Sequence, residues 1–222
     1  MGSEMCIRDS VIDSFAKSVQ LGSGLEKTGK LSRDSMNRTI QALKVCKQKL
    51  DKYDVKYSRL IATEACRRAK NSKDFILKVF QETGLKLNII DTEEEARLAV
   101  ISCAPLVSSK SEQLLVVDIG GGSTELVWID LSAVPSHERP KSIMRLHSGF
   151  HSIESPFPAA RVVDWISVPL GVATLRDQFN DVEDDAARFA LMSWYFEEKL
   201  TDFAPYKDLS LIHISEPTRH LL

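Results

Sequence analysis

Little in this sequence invites a metal-staple, membrane or nucleic-acid reading. Its four cysteines, Cys6, Cys46, Cys66 and Cys103, form no C-x-x-C pair and have no histidine at metal-ligand spacing. They read as reduced thiols, which points to the cytoplasm. No apolar run reaches the ~20 residues that a membrane span requires. The start lacks the basic and apolar regions of a secretory signal. Lysine and arginine number 29 against 31 aspartates and glutamates, so no basic excess argues for nucleic acid. His147 and His151 sit four apart but lie among glycine and serine, and they read as surface residues.

Glycine is concentrated where it is informative. In LLVVDIGGGSTELVWID, residues 114–130, a run of strand-formers reaches Asp118, three glycines follow, and a second strand-like run begins at Thr124. No lysine follows Gly122, which excludes a P-loop. No helix opens after the glycines, which excludes a dinucleotide fingerprint. The pattern predicts a strand–turn–strand hairpin bent at Gly120, Gly121 and Gly122. Glycine permits positive φ and close backbone approach, and consecutive N–H groups in such a turn can bind an anion. An ordinary Gly-rich hairpin turn gives the same pattern.

Around this hairpin, strands and helices alternate. Residues 14–21 read as the end of a strand. Ser32 caps a helix running to about Leu50, with Met36, Ile40, Leu43 and Leu50 on one stripe. Residues 58–62 and 86–90 are short strands. Asn71 or Ser72 caps a helix with Phe75, Ile76, Val79 and Phe80 inward, closed by Gly84. Asp91 and Thr92 open a helix through about Cys103. Residues 131–160 read as an irregular insertion, residues 161–175 as a strand ending in a Pro/Gly turn, and residues 181–203 as a helix with Phe189, Phe196, Leu200 and Phe203 inward. The alternation argues for an α/β protein, with a boundary near residues 105–112. MGSEMCIRDS and LSLIHISEPTR resemble translations of a transposon-based sequencing adaptor. Residues 1–10 and 209–222 are therefore set aside as artefact, leaving a first domain over 11–110 and a second over 111–208.

Acidic residues mark the candidate chemistry. Asp118 ends the strand before the glycines, Glu125 follows them, and Glu94 and Glu95 open a helix in DTEEEARLAV. A carboxylate beside a phosphate-binding turn repels phosphate unless a cation joins them, and Mg²⁺ commonly bridges the two. Asp118 and Glu125 are thus candidate Mg²⁺ contacts. Each also has a plain structural reading, as a turn former and as an exposed strand residue. Thr92-x-x-Glu95 has capping-box spacing, so Glu95 serves either as a cap or in a site. Arg67 reads equally as a solvated helix arginine.

Five segments together resemble the exopolyphosphatase/guanosine pentaphosphate phosphatase family: SVQLGSGLEKTGKLS, RLIATEACRRAKNSKDF, IIDTEEEARLA, VVDIGGGSTELV and SVPLGVATL, in that order. The resemblance implies two ribonuclease-H-like domains of the actin-like ATPase superfamily, both truncated here. It implies Mg²⁺-dependent release of terminal phosphate from inorganic polyphosphate, or of the 5′ γ-phosphate from pppGpp, by a cytoplasmic homodimer. By motif, Glu95 matches the catalytic glutamate and Asp118 and Glu125 match metal-associated carboxylates. Gly120, Gly121, Gly122 and Ser123 match the phosphate loop, and Arg67 matches an arginine lining the phosphate cleft. The family's D-x-G-S-x-S loop and its later glycine/threonine-rich segment are not found in these residues. The expectation is therefore an inactive or very weak fragment of an enzyme. The alternatives are a non-catalytic nucleotide- or alarmone-binding module of the same fold, and an actin-like ATPase or sugar kinase; the EEEARLA stretch argues against the last.

Overall fold

The structure, a computed structural model, describes residues 11–150 and 159–203; the adaptor-like ends and His151 lie outside them. The elements in chain order are α1 (Leu25–Thr28), α2 (Arg33–Lys52), β1 (Leu60–Ala62), α3 (Glu64–Arg68), α4 (Ser72–Thr83), β2 (Leu87–Ile89) and α5 (Thr92–Cys103). They continue with β3 (Gln113–Ile119), β4 (Thr124–Asp130), α6 (Arg139–Met144), β5 (Arg161–Val168), α7 (Val172–Gln178) and α8 (Asp185–Leu200). Strands β1 and β2 pair in parallel, while β3, β4 and β5 form an antiparallel sheet in that order.

Local signals set most helix ends. The Ser32 hydroxyl accepts from Ser35 N–H at 3.1 Å to start α2, and Gly84 closes α4 at φ 70°, the left-handed geometry that glycine adopts without penalty. At α5 the cap is Asp91, whose carboxylate accepts from Glu94 N–H at 2.8 Å. Asn71 precedes α4 but does not cap it with its side chain. Instead its amide accepts from Leu31 N–H at 2.8 Å and donates to Leu31 carbonyl at 3.0 Å. It thereby fastens the link before α2 to the start of α4.

Burial gathers into three groups. In the first, α2 and α4 pack together through Ile40, Phe75 and Val79. In the second, Ala96, Val100 and Ala104 of the α5 region meet Val116, Val127 and Ile129 of the hairpin. In the third, Val168, Leu170 and Phe179 are covered by Met192, Tyr195, Phe196 and Leu200. Each large apolar side chain so enclosed contributes about 1.5–3 kcal/mol. The second group positions the chemistry, because it seats the helix carrying Glu95 directly on the glycine hairpin.

Several expectations are corrected. Residues 14–21 form no strand; β1 pairs only with β2 among the described residues, and nothing offers residues 14–21 a ladder. Phe80 is 45% exposed, since the buried stripe of α4 runs through Phe75, Val79 and Thr83. The 131–160 connection is not merely irregular: it holds α6, and Leu131, Val134 and Ile143 are fully buried. The strand after it ends at Val168, before the expected Pro/Gly turn, but the residues beyond that turn, Val172–Gln178, are helical. Phe189 is 70% exposed, because α8 has no apolar cover before Met192.

Candidate active site

The glycine hairpin forms as its sequence predicts. Asp118 pairs with Glu125 and Ile119 with Thr124, and Gly120 N–H donates to Ser123 carbonyl at 2.9 Å across the turn. None of the three glycines takes positive φ, so their role is close approach, not left-handed backbone. A side chain at Gly122 would stand 2.9 Å from Cγ of Glu64. Among the described residues, the N–H groups of Gly121, Gly122 and Ser123 donate to no acceptor. Gly121 faces open space.

These groups line a cleft of about 880 Å³ that also holds Glu95, Glu64, Lys27 and Arg68. The structure therefore brings Glu95 together with Gly120, Gly121, Gly122 and Ser123. Arg67 is not on the cleft wall. Its guanidinium donates to Ile90 carbonyl at 2.9 Å and to Glu64 at 3.0 Å, and it lies 2.7 Å from Glu95 Oε2. In this geometry Arg67 stands behind the carboxylates and holds them.

The two neighbouring glutamates have different surroundings. Glu94 is engaged by Arg97 at 2.6 and 2.8 Å and by Arg59 at 2.8 Å. Arg97 first, then Arg59, hold its carboxyl down to about 2. Arg97 also donates to Leu146 carbonyl at 2.8 Å, so this cluster ties α5 to the segment after α6. Glu95 belongs to no such cluster. Its Oε2 is buried beside Arg67 yet makes no hydrogen bond, because the ion pair is close but not directed. Glu95 thus has Arg67 on one side and the cleft on the other, a placement in which a carboxylate can act on a water or substrate proton. The Thr92–Glu95 capping box does not form, since Asp91 caps the helix. The capping reading of Glu95 is thereby removed.

Glu125 is 1% exposed. Burial pushes its carboxyl above the ordinary range; the Ser123 and Ser167 hydroxyls partly offset this, and the facing Glu95 and Asp118 add to it. Ser167 donates to Glu125 Oε1 at 2.8 Å. Asp118 is exposed at the strand end. No three acidic, histidine or cysteine side chains among the described residues are placed to enclose a metal. Glu125 and Asp118, paired across the hairpin with no cation bonded to either among the described residues, nevertheless suit a cation. The donor set fits Mg²⁺ of the kind that keeps several waters and shares one or two carboxylates with a substrate phosphate.

Some participants were not singled out from sequence. Glu64 stands within EACRRAKN, yet only the fold turns it across from Gly122. Lys27 and Arg68 also line the cleft, and their segments carried no spacing signal of their own. Gly171 and Thr174 lie in SVPLGVATL, whose β-branched run masked a helix start.

The sequence profile of the Ppx/GppA phosphatase family matches residues 10–205. A solved structure of the Aquifex aeolicus member of that family is 31% identical, with a TM-score of 0.53, over 82% of this chain and 50% of its own. A second, described as the Aquifex aeolicus PPX-GPPA enzyme, is 29% identical, with a TM-score of 0.56, over 84% of this chain and 53% of its own. An exopolyphosphatase from Cytophaga hutchinsonii shares the fold at 23% identity and a TM-score of 0.66, over 88% of this chain and 54% of its own. The chain thus spans about half the length of the solved proteins it resembles. No helix among the described residues is long and apolar enough to cross a membrane. The match takes in the glycine hairpin, the helix that carries Glu95 and the Arg67 segment together, and the chain belongs to the Ppx/GppA phosphatase family.

Proposed function

We propose that this chain supplies part of the cleft of a Mg²⁺-dependent phosphohydrolase. It releases terminal phosphate from inorganic polyphosphate or the 5′ γ-phosphate from pppGpp. One observation carries the reading: Glu95 lines the same cleft as the free N–H groups of Gly121 and Gly122. The first is suited to a water, the second to phosphoryl oxygens.

In this reading the N–H groups of Gly121 and Gly122, with Ser123, hold the terminal phosphoryl oxygens and stabilise charge that grows there. Glu95 orients or deprotonates the water that attacks phosphorus in line. Arg67 holds Glu95 and Glu64 in place through its ion pairs with both. Asp118 and Glu125 would hold Mg²⁺, which offsets phosphoryl charge when bound. These 222 residues alone, about half the length of the solved relatives, turn over weakly or not at all.

The test is phosphate release by the full-length protein from polyphosphate and from pppGpp, with Mg²⁺ and with chelator. Metal-dependent release from either substrate is expected. Tight nucleotide binding without release from either would favour the non-catalytic binding module instead.

A further inference from the structure

The N-terminus of α7 sits against the carbonyl side of the glycine turn. Val172 N–H donates to Gly120 carbonyl at 3.0 Å, and Ala173 N–H donates to Gly121 carbonyl at 2.8 Å. Thr174 N–H reaches the same Gly121 carbonyl at 3.4 Å, and the Thr174 hydroxyl lies 3.4 Å from Gly122 carbonyl. A helix start leaves its first N–H groups without internal partners. Here those groups are used on the turn.

Peptide planarity turns these contacts into an orientation. In a trans peptide, C=O and N–H point in opposite directions. The carbonyl of Gly120 shares its peptide with Gly121 N–H, that of Gly121 with Gly122 N–H, and that of Gly122 with Ser123 N–H. The Thr174 hydroxyl has its nearer acceptor in Gly171 carbonyl at 3.0 Å, so α7 draws chiefly the Gly120 and Gly121 carbonyls toward itself, and the N–H groups of Gly121 and Gly122 point away from it. They are the same N–H groups that find no acceptor. Hydrogen bonding at each carbonyl also polarises its peptide and strengthens the N–H as a donor.

The clamp is held at close range. Gly171 has φ −122° and ψ −176°, extended backbone that any residue adopts. A Cβ there would lie 2.5 Å from Gly120 O, 2.5 Å from Gly121 C and 2.6 Å from Gly122 N. All three are backbone atoms of the turn, so none can move aside alone. Thr174, itself buried, accepts from Gly171 N–H at 2.6 Å. Thr124 donates to Leu170 carbonyl at 2.7 Å, which fixes the approach of the 169–171 turn to β4.

We infer that Gly171 and Thr174 are positioning residues: they seat the α7 N-terminus on the glycine turn and thereby aim its N–H groups at a bound phosphoryl anion. The inference rests on the phosphate-binding reading of the turn, but not on turnover.

The experiment measures tripolyphosphate binding by calorimetry in the full-length protein, with Mg²⁺ present, for wild type, Gly171→Ala, Thr174→Val and Thr174→Ser. Melting temperature and, where phosphate is released, kcat and KM are read alongside. Loss or misalignment of hydrogen bonds to a charged ligand is expected to weaken binding about tenfold or more in Gly171→Ala and Thr174→Val. Thr174→Ser, which keeps the hydroxyl, retains near-wild-type affinity, and KM rises more than kcat falls in the two disruptive variants. Wild-type affinity in a folded Gly171→Ala overturns the inference. If Gly171→Ala does not fold, wild-type affinity in Thr174→Val overturns it equally. Wild-type binding without phosphate release, together with weakened binding in the variants, would reject the hydrolase reading and keep the clamp. Failure of the wild type to bind the anion would reject both.

Discussion

Arg67→Met separates two roles for this arginine. If it lines the phosphate cleft, its loss weakens substrate binding. If it holds Glu95 and Glu64, its loss disturbs the carboxylates and the fold. The structure favours the second role, with Arg67 bonded to Ile90 carbonyl at 2.9 Å and Glu64 at 3.0 Å, and 2.7 Å from Glu95. Methionine keeps much of the packing but leaves one carbonyl and two carboxylates without their cation. Breaking a buried ion pair by removing one partner costs about 3–5 kcal/mol. Here the side chains of Arg67, Glu64 and Glu95 are 15–16% exposed, so residual solvation reduces the expected loss to about 2–3 kcal/mol. That lowers the melting temperature, by less per kcal/mol the longer the protein. Thermal unfolding and steady-state phosphate release on the full-length protein read both consequences. The expected result is a lower melting temperature with kcat reduced and KM little changed. An unchanged melting temperature with KM raised would return Arg67 to the phosphate and refute its role as a holder of carboxylates.

Glu125 and Glu94 give pH tests of opposite sign. Burial raises the Glu125 carboxyl, so its contribution to stability is present below the ordinary range near 4.5 and is lost as pH rises through the folded value. Glu125→Gln is therefore expected to have a higher urea midpoint than wild type at neutral pH without Mg²⁺, with the gap closing toward pH 4 and on adding the cation; a constant gap would count against this. Glu94 is held down to about 2 from 4.5, so its stabilisation is present above 4.5 and is lost as pH falls toward 2. Glu94→Gln should lower the urea midpoint at neutral pH and flatten the acid limb between those values, whereas an acid limb identical to wild type would mean that the Arg97 and Arg59 pairs contribute nothing to stability.

Residues whose partners are close in sequence were legible. Ser32 meets Ser35 within one turn, Gly84 ends α4 by its own backbone freedom, and the hairpin is bent by its own glycines. Residues that depend on distant partners were not. Asn71 reads as a cap, but Leu31, forty residues earlier, takes its amide. Residues 172–175, past the Pro/Gly turn, give no sign of a helix because Val, Ala, Thr and Leu favour either state over a short run, and only contact with Gly120 and Gly121 decides for α7. Phe80 and Phe189 fit helical stripes, yet the core does not extend to them. In the site, motif resemblance named Glu95 and the turn. Spacing could not choose between cap and base, because Asp91 and Thr92 are both competent caps and only the folded helix shows which one serves. The placement of Arg67 behind Glu95, and of Glu64 against Gly122, depends on α3 meeting α5 and the hairpin, a juxtaposition with no local signature.

The most direct test of the proposed chemistry is Glu95→Gln in the full-length protein, read by phosphate release from polyphosphate and pppGpp beside calorimetric binding of the same substrates. The substitution keeps the shape of the side chain beside Arg67 and removes its basicity. Release is expected to fall by about 10²–10⁴, while substrate binding stays near wild type and the melting temperature falls less than in Arg67→Met, since only one of the Arg67 pairs is lost. Release within a few-fold of wild type, or a loss of binding parallel to the loss of release, would contradict the role of Glu95 as the group that activates water.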